Sequence, residues 1–159
     1  MSTYEKKDKK RNKTLRFRVR KALARRKNIK HFTPTVEQCQ SWFRIFNRGM
    51  FGGNLIEPKL IVRRMHYDWG LCVVDWDNRK CRKGTFNQRV FPYHLGGHLE
   101  YRIELHNKFP TWKDFIETLA HEMVHLYQMQ VWKDPYSNHN ANFYSWRNKF
   151  KQHGLKLYQ

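Results

Sequence analysis

Apolar residues recur at helical spacing from Val36 through Cys39, Phe43, Phe46 and Met50, one stripe on an otherwise polar segment. That pattern predicts a helix lying on a core. Thr33-Pro34 predicts its start, as N-cap and first helical residue, and Gly52-Gly53 predicts its stop. Lys59–Met65 and Gly70–Trp76 are short β-rich runs. Leu99, Tyr101, Ile103 and Leu105 alternate with Glu100, Arg102 and Glu104, which predicts a half-buried strand. Residues 77–98 between them read as a loop or irregular hairpin carrying Arg79, Lys80, Arg82, Lys83 and Arg89. A second helix is announced by Thr111-x-x-Asp114, a capping box with Asp in the usual place of Glu, and should run to about Gln130 or Trp132. A third is expected from about Asn140 to Gln152, with Phe143, Trp146 and Phe150 on one face and Gly154 just past its end. The order predicts an α+β domain, a short sheet packed with about three helices.

The second helix has an unusual polar side. Asp114, Glu117, Thr118, His121, Glu122, His125 and Gln128 share one sector, opposite Phe115, Ile116, Leu119, Met123, Val124, Leu126 and Tyr127. Residues 114–132 contain no Lys or Arg, in a chain that has 32 of them. A solvated face would share the general basicity, whereas a cation site would exclude it. His121 and His125, four apart, are turned only about 40° from each other, one turn along the same side. Two imidazoles so placed converge on one metal ion, and Glu122 beside them can take a proton from a water attacking a carbonyl. With nine His and seven Glu, the spacing arises by chance only about 0.02 times in this chain.

A catalytic zinc takes three protein ligands. His139 is the leading candidate for the third, because it opens the third helix, which can fold back beside the second; His153 and His106 remain alternatives. His94 and His98 are also four apart, but Gly96-Gly97 between them disfavours a helix, so they read as loop residues. No single side chain stands out as oxyanion stabiliser among Tyr136, Tyr144, Arg147 and His153. Trp42, Trp112, Trp132 and Trp146 read as core or groove walls.

Charge adds a second feature. The 159 residues carry a formal net charge of +19, and residues 1–30 alone hold 14 Lys and Arg against Glu5 and Asp8, a net of +12. This stretch reads as a flexible basic arm before a domain at 31–159. Lys9, Lys10, Arg11, Lys13, Arg16, Arg18, Arg20, Lys21, Arg25, Arg26 and Lys27 are its candidate phosphate contacts. No base-reading signature accompanies them, so the expected partner is nucleic acid bound without sequence preference. No apolar run is long enough to span a bilayer, and the first residues lack the apolar core of a secretory signal. Cys39, Cys72 and Cys81, an odd count without C-x-x-C spacing, are expected to be free thiols of a cytoplasmic, monomeric protein.

The chain resembles the SprT-like zinc metalloprotease family, of the SprT and Spartan type. The likeness covers about residues 37–157. It rests on Phe46-Asn47 with Met50-Phe51-Gly52-Gly53-x-Leu55-x-x-Pro58, on Gly70-x-Cys72, on Glu117-Thr118-Leu119-Ala120-His121-Glu122-Met123-Val124-His125, and on His139-x-x-x-Phe143 followed by Trp146. The resemblance implies a zincin-like fold, one zinc ion held by His121, His125 and His139, and Glu122 as general base. It also implies peptide hydrolysis on proteins bound or crosslinked to DNA. Asn138 and Asn140 flank His139 where the family has glycines, and the C-terminal cysteine ribbon common in bacterial relatives is not found in these residues. The basic arm, helped by Arg79–Arg89, is then expected to supply the grip on DNA. The competing expectation is a basic nucleic-acid-binding or virion-associated packaging protein whose zinc site is structural or vestigial.

Overall fold

Capping chemistry sets where the helices begin. A computed structural model describes residues 3–26, 31–76, 99–134 and 138–158, with side chains from residue 14 onward. Helix α1 spans Thr3–Arg25 and α2 spans Val36–Gly49. Thr35, not Thr33, caps α2: its hydroxyl accepts from the Gln38 N–H at 3.2 Å, and the Gln38 side chain accepts from the Thr35 N–H at 2.9 Å. Thr35 wins because only its third successor can reach back to close the box. After α2 the chain turns through Gly52 and Gly53, both at positive φ. Asn47 clamps this turn by bonding both backbone groups of Leu55, at 2.9 and 3.1 Å.

Three strands follow, β1 at Lys59–Arg63, β2 at Gly70–Trp76 and β3 at Leu99–His106. Their order in the sheet is β1-β3-β2, with β1 parallel and β2 antiparallel to the central β3. β1 stops short of Met65, whose N–H goes to His106 Nδ1 at 2.9 Å instead of to the ladder. Ile103 and Leu105 are buried as expected, but Glu104 is buried too, held by Arg63 at 3.0 Å. Its face of the sheet is thus neutralised by ion pairing rather than left to solvent. Asp75 pairs with Arg102 on the neighbouring strand.

Helix α3, Trp112–Gln130, packs on β2 and β3, and α2 packs on α3 and β1. The Thr111 hydroxyl accepts from the Asp114 N–H at 3.1 Å and donates to the Asp114 carboxylate at 2.8 Å. Asp is one methylene shorter than Glu, and here it accepts a hydrogen bond from the cap's hydroxyl. The expected third helix is two, α4 at Ala141–Tyr144 and α5 at Arg147–Gln152. The Trp146 N–H bonds back three residues, to the Phe143 carbonyl at 3.2 Å, which tightens the turn and breaks the α ladder there.

Residues 14–26 correct the expectation of a free arm. Leu15 (2 % exposed), Val19 (0 %) and Ala22 lie in the main core, and α1 packs against α2. Arg16, Phe17, Arg18, Arg20, Lys21 and Arg25 are exposed, while Arg26 lies 4.9 Å above the Trp112 ring. The sequence Leu15-x-x-x-Val19-x-x-Ala22 repeats at helical spacing, so the basic stretch carries a narrow apolar stripe that the charge had obscured. Leu15→Ala is expected to lower unfolding free energy by about 2–5 kcal/mol, read by urea titration; a free arm would leave the midpoint where it is. The side chains of Lys9, Lys10, Arg11 and Lys13, and all of Lys27, Cys81, Tyr136, Arg79–Arg89, His94 and His98, lie outside the described residues.

Candidate metal centre

The α3 spacing brings His121 and His125 side by side, and the turn into α4 carries His139 across to meet them. His139 Nε2 lies 3.2 Å from His121 Nε2 and 3.1 Å from His125 Nε2. Three nitrogens aimed at one point are the donor set for a borderline cation such as zinc. The rings are held from behind. His125 Nδ1 lies 2.9 Å from Gln128 Oε1, and the Tyr158 backbone accepts a hydrogen bond from the His121 ring. Each helix histidine therefore keeps its proton on the far nitrogen and turns Nε2 toward His139. Burial, together with the neighbouring His125 and His139, pushes His121 down to about 4, so it is neutral at ordinary pH. Phe143, fully buried, forms a common floor with ring centroids 4.6–4.9 Å from all three imidazoles. These observations fit a metal ion held by His121, His125 and His139.

Gln128 explains how His139 is placed. It is 0 % exposed, and its amide donates to the Asn138 carbonyl at 3.0 Å and to Asn140 Oδ1 at 3.1 Å. Asn140 also caps α4 through the Phe143 N–H at 3.0 Å and donates to Asp134 at 3.0 Å. The two asparagines beside His139 thus tie its segment to the helix bearing His121 and His125. Gln128→Leu removes the bonds to all of those partners. It is expected to weaken zinc binding about 10–100-fold, measured by competition with a chromophoric chelator.

Glu122 is 6 % exposed, with Oε1 3.8 Å from His121 Nε2. Burial first, then the nearby Asp68 carboxylate, pushes it up to about 8, and a hydrogen bond from the Cys72 backbone works the other way. β2 comes this close because residue 70 is glycine: a Cβ there would sit 2.7 Å from Thr118 Cγ2 and 3.1 Å from Glu122 Cγ. A cleft of about 800 Å³ opens onto the histidines and Glu122, walled by Trp69, Leu71, Phe109 and Tyr158.

The other residues weighed for this site go elsewhere. His106 bonds Met65 and packs on Trp69 and Phe109, while His153 is buried outside the histidine cluster. Tyr144 and Arg147 stack on each other at 4.3 Å and do not line the cleft. Trp112 and Trp146 are core residues, and Trp132 is exposed. Gln128, Phe143, Tyr158, Asp68 and Gly70 had no assigned role from sequence. Gln128 left a signal, three residues beyond His125 in the same polar sector, and Gly70 and Phe143 stand in the motifs that carry the family resemblance.

The model of the SprT-like family matches residues 39–158, three-quarters of the chain. The chain belongs to the SprT-like family. The match begins at Cys39 in α2 and takes in the sheet, the histidine helix and the segment bearing His139. Searches of curated proteins and of solved structures return no match. SprT-like membership makes this α+β fold a zincin-like domain and points to a zinc-dependent, metallopeptidase-type activity.

Proposed function

We propose that this SprT-like protein is a monomeric zinc endopeptidase that hydrolyses proteins bound or crosslinked to DNA, held there by its own basic surface and working in the cytoplasm. The observation that carries the reading is the convergence of His121, His125 and His139 beside the buried Glu122 in one open cleft. Zinc, when bound, supplies Lewis acidity that polarises the scissile carbonyl and acidifies the attacking water. Glu122 takes the proton of that water on its carboxylate and hands it to the departing amine. His125 and His121 stay oriented through Gln128 and the Tyr158 backbone, so no ligand reorganises during the step.

DNA as the platform is supported by the +19 charge and by the exposed Arg16, Arg18, Arg20, Lys21 and Arg25 on α1. The test is a protein crosslinked to a DNA oligonucleotide, incubated with zinc-loaded protein, with chelated protein and with chelated protein given zinc again. The protein moiety should shorten in the first and third and persist in the second, with the oligonucleotide intact throughout. Persistence in all three rejects the peptidase. A purely structural zinc would instead unfold the domain on chelation, which circular dichroism in the same samples detects.

A further inference from the structure

The helices α1 and α2 cross closely because residue 49 is glycine: a Cβ there would lie 2.9 Å from Leu15 Cβ. Beside this crossing runs a groove of about 750 Å³, separate from the histidine cleft, with Leu15 and Ile45 in its floor. Its walls are cationic. Arg18 comes from α1 and Arg44 and Arg48 from α2, with the hydroxyls of Thr14 and Ser41 among them. Arg44 and Arg48 are one turn apart, about 6 Å along the axis, and both are exposed. Only Glu57 meets them among the described residues, pairing with Arg44 at 3.1 Å with both partners partly solvated. Such an exposed pair exchanges readily for another anion.

The chain itself is a poor occupant. Residues 1–13 carry six Lys and Arg against two acids, and residues 77–98 carry five against Asp77, so both are repelled by the same groove. A second copy, at +19, is repelled too. We propose that this groove is a phosphate track for a nucleic-acid strand, with Arg18, Arg44 and Arg48 as its phosphate contacts and the hydroxyls as secondary donors. It deepens the nucleic-acid part of the reading above, moving the grip from a loose arm to a rigid two-helix surface. It makes two residues outside the basic stretch, Arg44 and Arg48 on α2, as important as those within it. A guanidinium fork binds phosphate through paired N–H groups, and here two such forks are spaced to follow one backbone.

The experiment titrates a fluorescent oligonucleotide, single-stranded and duplex, with the full chain at several salt concentrations. R44Q/R48Q should weaken binding tenfold or more and lower the slope of log K against log salt by about 1.4 on single strands or 1.8 on duplex. K108Q/K151Q, which removes the same charge elsewhere on the surface, should do distinctly less, and R44K/R48K should recover part of the loss. If R44Q/R48Q melts below wild type, R18Q on α1 carries the test, with about half the change in slope. Wild-type affinity retained by R44Q/R48Q, or equal losses in both double variants, overturns the proposal. So does inorganic polyphosphate binding as tightly as the oligonucleotide. Weakened binding in a chain that cleaves no crosslinked protein upholds the groove and sinks the peptidase; the reverse pattern does the opposite.

Discussion

Glu122→Gln should abolish cleavage of a DNA-crosslinked protein, a loss of about 10²–10⁴-fold, while zinc content stays at the wild-type level. Gln keeps the shape and can still accept from the Cys72 backbone, but it cannot take a proton from water. Stability should move the other way. In metal-free protein the Glu122 carboxyl sits at about 8 against an ordinary 4.5. A raised carboxyl means the folded state holds a proton that the unfolded state has released. The resulting penalty is absent below pH 4.5, grows between those values and is complete above pH 8. Metal-free E122Q should therefore melt with metal-free wild type at pH 4 and above it at pH 8.5, by differential scanning fluorimetry. Residual cleavage near the wild-type rate would remove Glu122 from the chemistry. Coincident melting curves at both pH values would mean that its carboxylate is solvated.

The second large effect concerns His139. His121 and His125 come from adjacent turns of one helix, whereas His139 arrives from another segment and closes the set at 3.1–3.2 Å. Alanine there leaves two nitrogens and an open side. The loss of zinc affinity should exceed the 10–100-fold typical of an outer partner such as Gln128. Elemental analysis after dialysis should show wild type carrying zinc and His139→Ala essentially none. The rise in melting temperature that zinc gives the wild type should vanish with it. Unchanged zinc in the variant would move the third ligand elsewhere, with His94 and His98 next to be replaced.

Much of the fold was readable because its signals are local. α2, β2, β3 and α3 fall where apolar spacing, the Gly52-Gly53 stop and the Thr111 cap put them. The misreadings have local causes as well. At Thr33 and Thr35 two cap candidates stand two residues apart, and only the partner at Gln38 separates them. In the last segment the apolar face of Phe143, Trp146 and Phe150 runs on through a broken helix, since a three-residue hydrogen bond scarcely disturbs side-chain facing. Leu15, Val19 and Ala22 were hidden for a different reason: three apolar residues among many cations look like an arm until a partner helix covers them.

The residues alone determined that His121, Glu122 and His125 share one side of a helix, because 3.6 residues per turn allows no other arrangement. They also determined that this side excludes Lys and Arg, and that the excess positive charge lies at the start of the chain. Tertiary structure decided which histidine meets the helix pair, through Gln128 reaching Asn138 and Asn140 ten and twelve residues further on. It decided how near β2 lies to Glu122, through Gly70, and turned half of a basic arm into one wall of a groove. Those outcomes depend on contacts between separate segments, which a period or a cap within one segment does not specify, and only the packing of α1, α2, α3 and the sheet brings them into being.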